Sequence, residues 1–538
     1  MTPDDIAPAP AAMLLEVGSK PPDVDIPAAP PFMPGKHMPG TFTEEYAAST
    51  SSLVLHVSDV GWTGEPDDPD LPNQPFPPRI VGLPSIVRSI RLMPEESARV
   101  SYQGGEVTLD NRDGAFDIAA GDWSMQGQLV SMWRGPHRKP RKAYFGEFTP
   151  VGVFRVDSAP LGSTTLRITL RDAASDLAGP ICPTFAGTGG LEGPSSLTGQ
   201  AKQVVAGEKP NVPLTAVWAA MGTYLASAAS LSAIYAVRDA GVNVPIAAAY
   251  ANSAQLLAAS IPVGQCATCP NEGLVRFVGF VPTVPTADVT GAGGTSHADC
   301  FRRVLTVAGI TDERLDTAGI AAAWPSGMAG FLFQSGSVAN ALETIAQSVA
   351  GWWGSSRTGL ITAGRIPVPE RQVPILRLEK WMIDEAIKVR GAPPEEIAGV
   401  APRYRQRVKF HVLGVTQSGT DLRGDLGADQ ASRDFYERGY ELSYQYDGGA
   451  QLAYPLADDP DPLESGFRNR ADADALGAYI MQLHSVRRRR YRVPVGRWGH
   501  LINLGQPISI EWGKLAGRIW IPYASTEQGD SNEISVWG

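Results

Sequence analysis

The chain has no long run of charge of one sign. Charged residues make up 19% of its 538 residues, and the net charge of −10 is spread along it. This composition excludes a disordered acidic or basic tail and a nucleic-acid-binding signature, and it favours a turn-rich globular protein. Asp4 and Asp5 stand where a secretory signal carries positive charge, and no apolar stretch follows them. We therefore expect synthesis and folding in the cytoplasm.

Motifs of common enzymes are missing as well. The sequence has no Gly-x-Ser-x-Gly elbow, no His-Glu-x-x-His helix and no Gly-x-x-x-x-Gly-Lys loop. These absences remove the usual signals of hydrolases and nucleotide sites. Cys300 lies near His297, but it falls on a predicted helix beside Val304 and Val307, which favours a buried structural cysteine over a Cys-His dyad. The sequence predicts no catalytic residue.

Residues 210–237 carry no charge, and this uncharged window is long enough to span a membrane. The window is rich in Ala, Ser and Thr and is interrupted by Pro213 and Gly222, so we expect a pair of buried strands and no membrane span. Residues 238–241 end in glycine and predict a hairpin turn after the second strand.

Proline and glycine divide the chain into sections of different character. At roughly 150 residues a domain, the length predicts three to four domains. Ten prolines in residues 1–50 argue against a regular helix or a central strand there and predict an extended arm. We expect an all-β domain at 51–179, a loop-rich β section at 180–295, a small α+β domain at 296–372 and a β-rich section at 373–538.

Alternating apolar and polar residues predict strands in the first and last β-rich sections. The residues that share a predicted strand face are Leu166, Ile168 and Leu170 in the first section, and Ile508, Ile510, Trp512, Ile519 and Ile521 in the last. Short strands at regular spacing predict a barrel or a sandwich.

Three segments have the periodicity of helices. Their apolar faces consist of Phe301, Val304, Leu305 and Ala308, then Val338, Leu342, Ile345 and Val349, and finally Leu476, Tyr479, Ile480 and Leu483. Ser296 or Asp299 is the expected N-cap of the first helix, with Gly309 as its stop, and Ser337 is the N-cap of the second. The third helix is predicted at 471–486, and a hairpin with the pair Trp352-Trp353 follows the second.

The four cysteines could form a metal site. Cys266 and Cys269 have the spacing of metal ligands, and Cys182 and Cys300 would complete the four thiolates of an iron–sulfur cluster or a zinc site. The last two lie more than thirty residues from the close pair on either side. Reduced thiols without a cofactor are therefore the default, with the cluster as the alternative.

Clusters of like charge have structural and functional interpretations. Residues 67–70 and 458–461 are acidic, but they lack the spacing of a calcium loop and are read as solvated loops. Residues 134–142 and 487–492 are basic. They could contact DNA, terminate a helix or connect strands; we prefer salt bridges in an assembly to DNA contact.

A glycine-rich loop is the most specific pattern in the chain. It runs over residues 183–202 with Gly-Thr-Gly-Gly-x-Glu-Gly at 187–193, and it leads to Asn211-Val-Pro213. In this layout it resembles the inter-domain segment of tail-tip baseplate hub proteins of tailed bacteriophages, a group that includes siphophage-like and gene-transfer-agent-like hubs. Weaker matches at 107–117, near Gly146, at 170–172 and in 505–521 follow in the same order.

This resemblance implies a β-rich α+β, multi-domain protein. Two hub-type β-barrels, at 51–179 and 373–538, would be separated by the loop-rich β section and the small α+β domain. The implied function is that of a structural virion protein, not an enzyme: a trimeric symmetry adaptor that joins the hexameric tail tube to the trimeric tail tip and fibre. Interface candidates in the loop segment are Gly187, Gly189, Gly190, Glu192, Gly193 and Asn211.

The implied partners are two further copies of the chain, the tail-tube or distal-tail ring, the tape-measure protein, and a central fibre or spike. DNA would only pass through the lumen. The protein would be located in the distal tail of the virion after assembly in the host cytoplasm. A tail-associated cell-wall hydrolase and a receptor- or carbohydrate-binding tail protein remain alternatives; the latter would need exposed tryptophans, whereas Trp352, Trp353, Trp512 and Trp520 lie in periodic apolar elements.

Overall fold

A computed structural model of the chain describes residues 11–19, 53–117, 125–136, 144–279, 281, 283–397, 399, 401–423 and 429–538. These residues form several β-sheets with shorter helical segments, so the prediction of a β-rich, multi-domain protein is confirmed. None of the sheets in these ranges closes into a barrel, and the two hub-type barrels therefore stay a prediction.

The first β-rich section forms a seven-stranded antiparallel sheet with the strand order β2-β1-β9-β10-β11-β8-β5. Its strands and neighbours are β1 (Ala11–Ser19), β2 (Leu53–Ser58), β3 (Trp62–Thr63), β4 (Pro75–Phe76), β5 (Ile80–Gly82), β6 (Ile86–Ser89), β7 (Ser101–Gln103), β8 (Glu106–Asp110), β9 (Leu129–Pro136), β10 (Thr149–Ser158) and β11 (Thr165–Asp172). Leu166, Ile168 and Leu170 are buried on one face of β11, as their alternation predicts.

The N-terminal arm differs from the prediction in one segment. Strand β1 lies inside the sheet, between β2 and β9, whereas the prolines were expected to exclude a central strand. The physical reason is that residues 11–19 contain no proline, so all their amides remain available to the ladder. The rest of the predicted arm, at residues 1–10 and 20–50, lies outside the described residues.

The middle section consists of two packed sheets. One has the order β16-β15-β20-β12-β21 and the other β13-β14-β19-β18-β17. The elements are β12 (Val204–Pro213), β13 (Thr215–Trp218), β14 (Thr223–Leu225), β15 (Leu231–Asp239), β16 (Val242–Asn243), β17 (Ile246–Ala249), α1 (Ser253–Ala258), β18 (Cys266–Cys269), β19 (Leu274–Phe277) and β20 (Thr286–Gly291). Side chains of both sheets share one apolar cluster, which includes Val212, Val237, Val275 and Val289.

The predicted hairpin turn is confirmed. Strands β15 and β16 pair through Asp239 and Val242, and the two residues between them, Ala240 and Gly241, both have positive φ. This is the backbone of a tight two-residue turn. No helix among the described residues is both long and apolar enough to cross a membrane.

The small α+β section carries the predicted helices. Its elements are α2 (His297–Val307), α3 (Thr317–Ala323), β21 (Gly330–Phe333), α4 (Val338–Gln347), β22 (Gly351–Ser355) and β23 (Ile361–Arg365). Ser296 caps α2: its hydroxyl accepts from the amide of Asp299, whose carboxylate accepts from the Ser296 amide. Ser337 caps α4 in the same position, and strands β22 and β23 form the predicted hairpin.

The last section contains β24 (Leu376–Leu378), α5 (Lys380–Arg390), β25 (Glu395–Ile397), β26 (Arg405–Phe410), α6 (Gln430–Arg438), β27 (Glu441–Tyr446), α7 (Gly448–Ala453), β28 (Leu463–Glu464), α8 (Arg470–His484), β29 (Arg490–Pro494), β30 (Ile508–Ile510), β31 (Ile519–Glu527) and β32 (Glu533–Trp537). Helix α8 is the predicted third helix and buries Leu476, Ile480 and Leu483. It packs on a three-stranded sheet ordered β27-β26-β28.

An eight-stranded sheet joins the last section to the first. Its main path is β24-β30-β31-β32-β29-β25, and β6 pairs with β31 while β7 pairs with β6. Trp520 in β31 is fully buried. Strands β30 and β31 are the ones that the alternation of apolar and polar residues predicted. The first section thus contributes a hairpin, within residues 86–103, to the sheet of the last section.

Candidate functional site

The junction between the two β-rich sections is the first candidate site. We define it as strands β6 and β31 with the side chains Arg88, Arg357 and Glu527. The chain leaves the edge of the seven-stranded sheet after β5, forms β6 against β31 and β7 against β6, and returns to the first sheet as β8. The antiparallel register runs from Ser89 opposite Ala524 to Ile86 opposite Glu527.

A buried ionic network lies at the junction. The Glu527 carboxylate accepts from Arg357 at 2.8 Å for Nη2 to Oε1 and 3.0 Å for Nη1 to Oε2, and Arg88 donates to Oε1 as well. All three side chains are at most 8% exposed. Burial alone would raise the pKa of Glu527, but Arg88 and Arg357 outweigh it and lower that pKa to about 2.

Arg357 extends the network into a third part of the chain. It lies in the turn of the β22–β23 hairpin and also donates to the carbonyl oxygens of Val151 at 3.2 Å and Ile502 at 3.1 Å, and to the side chain of Asn503 at 3.1 Å. The hairpin of the α+β section is therefore fixed to both β-rich sections. This arrangement makes the network a mechanical connection and offers no reactive group.

The glycine loop at residues 183–202 is the second candidate site. Four of the predicted interface residues, Gly187, Gly189, Gly190 and Gly193, have φ between +59° and +93°, a region that favours glycine. The Gly187 amide donates to the Glu192 carbonyl, and the Gly189 amide to the Gly193 carbonyl. A Cβ added at Gly187 would lie 1.9 Å from the Thr198 hydroxyl.

Glu192 closes the loop on itself. Its carboxylate accepts from Lys202 at 2.6 Å and from the Ala186 amide at 3.1 Å, and the Lys202 ammonium lies over the Phe185 ring. The hydrogen bond from Lys202, followed by that from Ala186, lowers the pKa of Glu192. Most other residues of the loop are exposed although the loop is extensively hydrogen-bonded, so its outer surface is pre-shaped.

Asn211 lies apart from the exposed loop. It is 1% exposed and has φ of 51°. Its backbone amide donates to the Asp288 carboxylate at 2.8 Å, and its side-chain amide donates to the Val415 carbonyl oxygen at 2.8 Å. Arg238 holds Asp288 with two hydrogen bonds. Asn211 therefore joins the middle section to the last section inside one chain.

The four cysteines are buried and unpaired, and the structure does not bring them together. Cys266 and Cys269 are three residues apart on β18, so their side chains point to opposite faces and enter different apolar clusters. Cys182 and Cys300 belong to a third cluster. Within the ranges that the structure covers, no group of three or more His, Cys, Asp or Glu residues is placed to hold a metal ion.

The charged clusters pair within the chain. Asp68 accepts from the amides of Asp70, Leu71 and Phe145, while Asp459 binds Arg405 and Arg407. Three basic residues have partners within the chain: Arg134 binds Asp530, Arg488 binds Glu370 and Arg492 binds Glu533. The preference for salt bridges in an assembly over DNA contact stays a prediction. Residues 137–143 lie outside the described ranges.

The four tryptophans are core residues, as their periodicity predicts. Trp353 and Trp520 are fully buried. Trp352 and Trp512 are half-buried and pack against apolar clusters. These four rings do not form an exposed stacking platform.

Sequence reasoning did not find the junction network or Lys209, a buried ammonium in β12. For Lys209 a signal existed, because a lone lysine stands in the largely apolar stretch of residues 203–218. For Arg88 and Glu527 no local signal exists, since 439 positions separate them.

No family model and no curated protein matches the chain. Solved structures that align with it include the virion of a native gene transfer agent particle, at 12% identity over 63% of this chain and 84% of that chain with a TM-score of 0.40. A tail protein from Neisseria meningitidis MC58 aligns at 10% identity over 85% and 91%, with a TM-score of 0.37. The 43 kDa tail protein of prophage MuSo2 from Shewanella oneidensis aligns at 11% identity over 85% and 92%, with a TM-score of 0.30. All three are structures of tail or virion proteins.

Proposed function

We propose that the chain is a structural protein of a phage or phage-like tail, and that it acts as the hub at the distal end of the tail. In this function, three copies form a ring whose two β-rich units per chain present six similar surfaces. Such a ring matches a six-fold tube on one side and a three-fold tip on the other. We also propose that the two β-rich units are the two hub-type barrels that the resemblance implies.

The single observation that carries the proposal is the junction. A symmetry adaptor needs its two β-rich units at a fixed spacing, because a variable spacing would blur the six-fold surface. The β6–β31 ladder and the Arg88–Glu527–Arg357 network supply that fixed relation between the first and last sections.

The glycine loop supports the proposal as a contact surface. Its shape is held by internal hydrogen bonds, so contact with another chain would cost little ordering entropy. Residues such as Thr188 and Ser196 are exposed on it, and the sequence of this loop carries the resemblance to hub proteins. The proposed neighbours are a second copy of the chain, a tail-tube or distal-tail ring, the tape-measure protein and a fibre or spike, all within the virion.

The molar mass of the purified protein in solution tests the trimer. We expect light scattering after size-exclusion chromatography to give three times the chain mass at micromolar concentration. The double variant Thr188→Arg with Ser196→Arg places two bulky cations on the loop surface and should shift the protein toward the monomer. Its circular dichroism spectrum should match that of the wild type, because both side chains are exposed in the single chain.

Ala322→Arg is the matched control, since Ala322 is exposed on α3 and distant in sequence from the loop. It should leave the trimer intact. A wild-type protein that stays monomeric at all concentrations, both alone and with a tail-tube protein, would contradict the hub proposal. A trimer that tolerates the loop variant would reject the loop as the contact surface.

The hydrolase alternative has its own test. Lysis of peptidoglycan in a turbidity assay, abolished by substitution of a single acidic residue, would favour a tail-associated enzyme over a structural hub.

A further inference from the structure

A cavity of about 400 Å³ lies where several segments of the chain meet. Its lining comes from β12, from the start of β21, from the end of α4, and from two segments at residues 94–95 and 461–466. The volume lies in the range of small-molecule sites. Gly330 forms part of the wall, and an added Cβ there would lie 1.7 Å from the Glu208 carbonyl oxygen, so the wall is built on close backbone packing.

Among the described residues that line the cavity, Lys209 supplies the only cationic side chain. It is 8% exposed, and its ammonium has no hydrogen-bond or ion-pair partner among the described residues. Burial lowers the pKa of Lys209 to about 8; Glu464 opposes this shift and Arg468 adds to it. A largely buried ammonium that has only the electrostatic attraction of Glu464 and no hydrogen-bond acceptor favours an acceptor from outside the chain.

Three carboxylates also line the cavity, and all three residues are exposed: Glu95, Asp461 and Glu464. Glu95 is neutralised by Arg403. The carboxylates of Asp461 and Glu464 have no hydrogen-bonding partner in the part of the chain that the structure covers. The cavity therefore combines one buried positive charge with two negative charges at solvent-exposed positions, and one of these, Glu464, attracts Lys209 without a hydrogen bond to it.

The hydroxyl groups of the lining add acceptors rather than donors. Thr344, Ser348 and Ser465 each donate their proton to a backbone carbonyl, at 2.9, 2.6 and 2.8 Å. Their oxygens keep free lone pairs. Lys209 is thus the hydrogen-bond donor among the charged side chains of the lining. The remaining polar side chains of the lining mainly accept hydrogen bonds.

We propose that this cavity binds a small zwitterion of the amino-acid class, with its carboxylate on Lys209 and its ammonium between Asp461 and Glu464. A plain anion would meet the two carboxylates, and a plain amine would leave the Lys209 ammonium unpaired. A molecule with both charges satisfies both ends with charge-assisted hydrogen bonds. This proposal is independent of the tail function.

Titration calorimetry on the full chain tests the proposal with four probes. The zwitterions 4-aminobutanoate and 6-aminohexanoate differ in the separation of their charges, while hexanoate and hexylamine each lack one charge. At least one zwitterion should bind, at least about tenfold more tightly than either singly charged probe.

Lys209→Met keeps most of the unbranched side chain and removes its charge, and Glu464→Gln removes a carboxylate at an exposed position where folding is not at risk. Each should weaken the zwitterion at least about tenfold. Lys514→Met, at an exposed lysine outside the lining, should bind as the wild type does. The proposal is overturned if neither zwitterion binds the wild type, if hexylamine or hexanoate binds equally well, or if both variants keep the wild-type affinity.

Discussion

Substitution of Glu527 by glutamine tests whether the junction holds the β-rich sections together. The variant keeps the volume of the side chain and one acceptor oxygen, but it removes the negative charge that two buried arginines share. Arg88 and Arg357 would then remain in the interior without a counter-charge. Because both guanidinium groups are almost completely buried, water cannot compensate them.

Two lines of reasoning give similar magnitudes for this loss. Removal of one partner from a buried ion pair typically costs about 3 to 5 kcal/mol. Independently, the lowering of the pKa of Glu527 to about 2 corresponds to about 3 kcal/mol of folding free energy when the carboxylate is ionised. We therefore expect Glu527→Gln to lower the free energy of unfolding by about 3 kcal/mol at neutral pH.

The pH dependence has a defined sign. The folded pKa of Glu527 lies below the unfolded value, so its contribution is fully present above about pH 5 and is lost as the pH falls toward 2. The wild type and the variant should therefore differ most at neutral pH. Their free energies of unfolding should converge as the pH falls toward about 2.

Urea denaturation at several pH values, with hydrogen exchange of the β6 amides, measures both effects. Glu106→Gln is the control, because Glu106 is exposed and its Oε1 lies 3.9 Å from Nε of the more exposed Arg167. This substitution should leave the midpoint unchanged. The interpretation is refuted if Glu527→Gln unfolds at the midpoint of this control at pH 7. If the difference in the free energy of unfolding between wild type and variant grew toward acid pH, the predicted sign of the pH dependence would be refuted.

Three further predictions concern local features. Gly207→Ala should lower the free energy of unfolding by more than about 1 kcal/mol, because φ is +73° and the new Cβ would lie 2.1 Å from the Ala329 carbonyl oxygen; Gly309→Ala, in open space at a similar φ, should cost less in the same urea titration. Ser296→Ala should cost about 1 kcal/mol by loss of the helix cap, whereas Ser296→Asp should retain most of the stability in thermal unfolding. All four thiols should resist a thiol reagent at pH 8 until urea is added, since burial raises the pKa of Cys266, for example, to about 12; one fast-reacting thiol in the native protein would contradict this.

Local sequence patterns were sufficient for some elements of this fold. The cap at Ser296, the buried face of β11 and the turn at Ala240-Gly241 each depend on residues within a few positions of one another. Caps, periodicity and turn chemistry act over that range, so a single sequence contains the information. The prediction of an extended arm was wrong at β1. The ten prolines were counted over fifty residues, whereas the nine residues of β1 contain none.

The cysteine pair shows where local patterns stop. Spacing alone made Cys266 and Cys269 a candidate ligand pair, but on a strand the same spacing sends the two thiols to opposite faces. The backbone conformation of the segment therefore decided which thiols could meet.

What the sequence determined by itself is the three periodic helices, the buried face of β11 and the turn at Ala240-Gly241, because caps, periodicity and turn chemistry depend on near neighbours along the chain. The tertiary structure alone decided that β6 joins β31, that Glu527 meets two arginines, and that Lys209 faces a cavity with carboxylates. These contacts join positions up to 439 residues apart, and their partners are selected by the path of the chain and by burial, which no local pattern encodes.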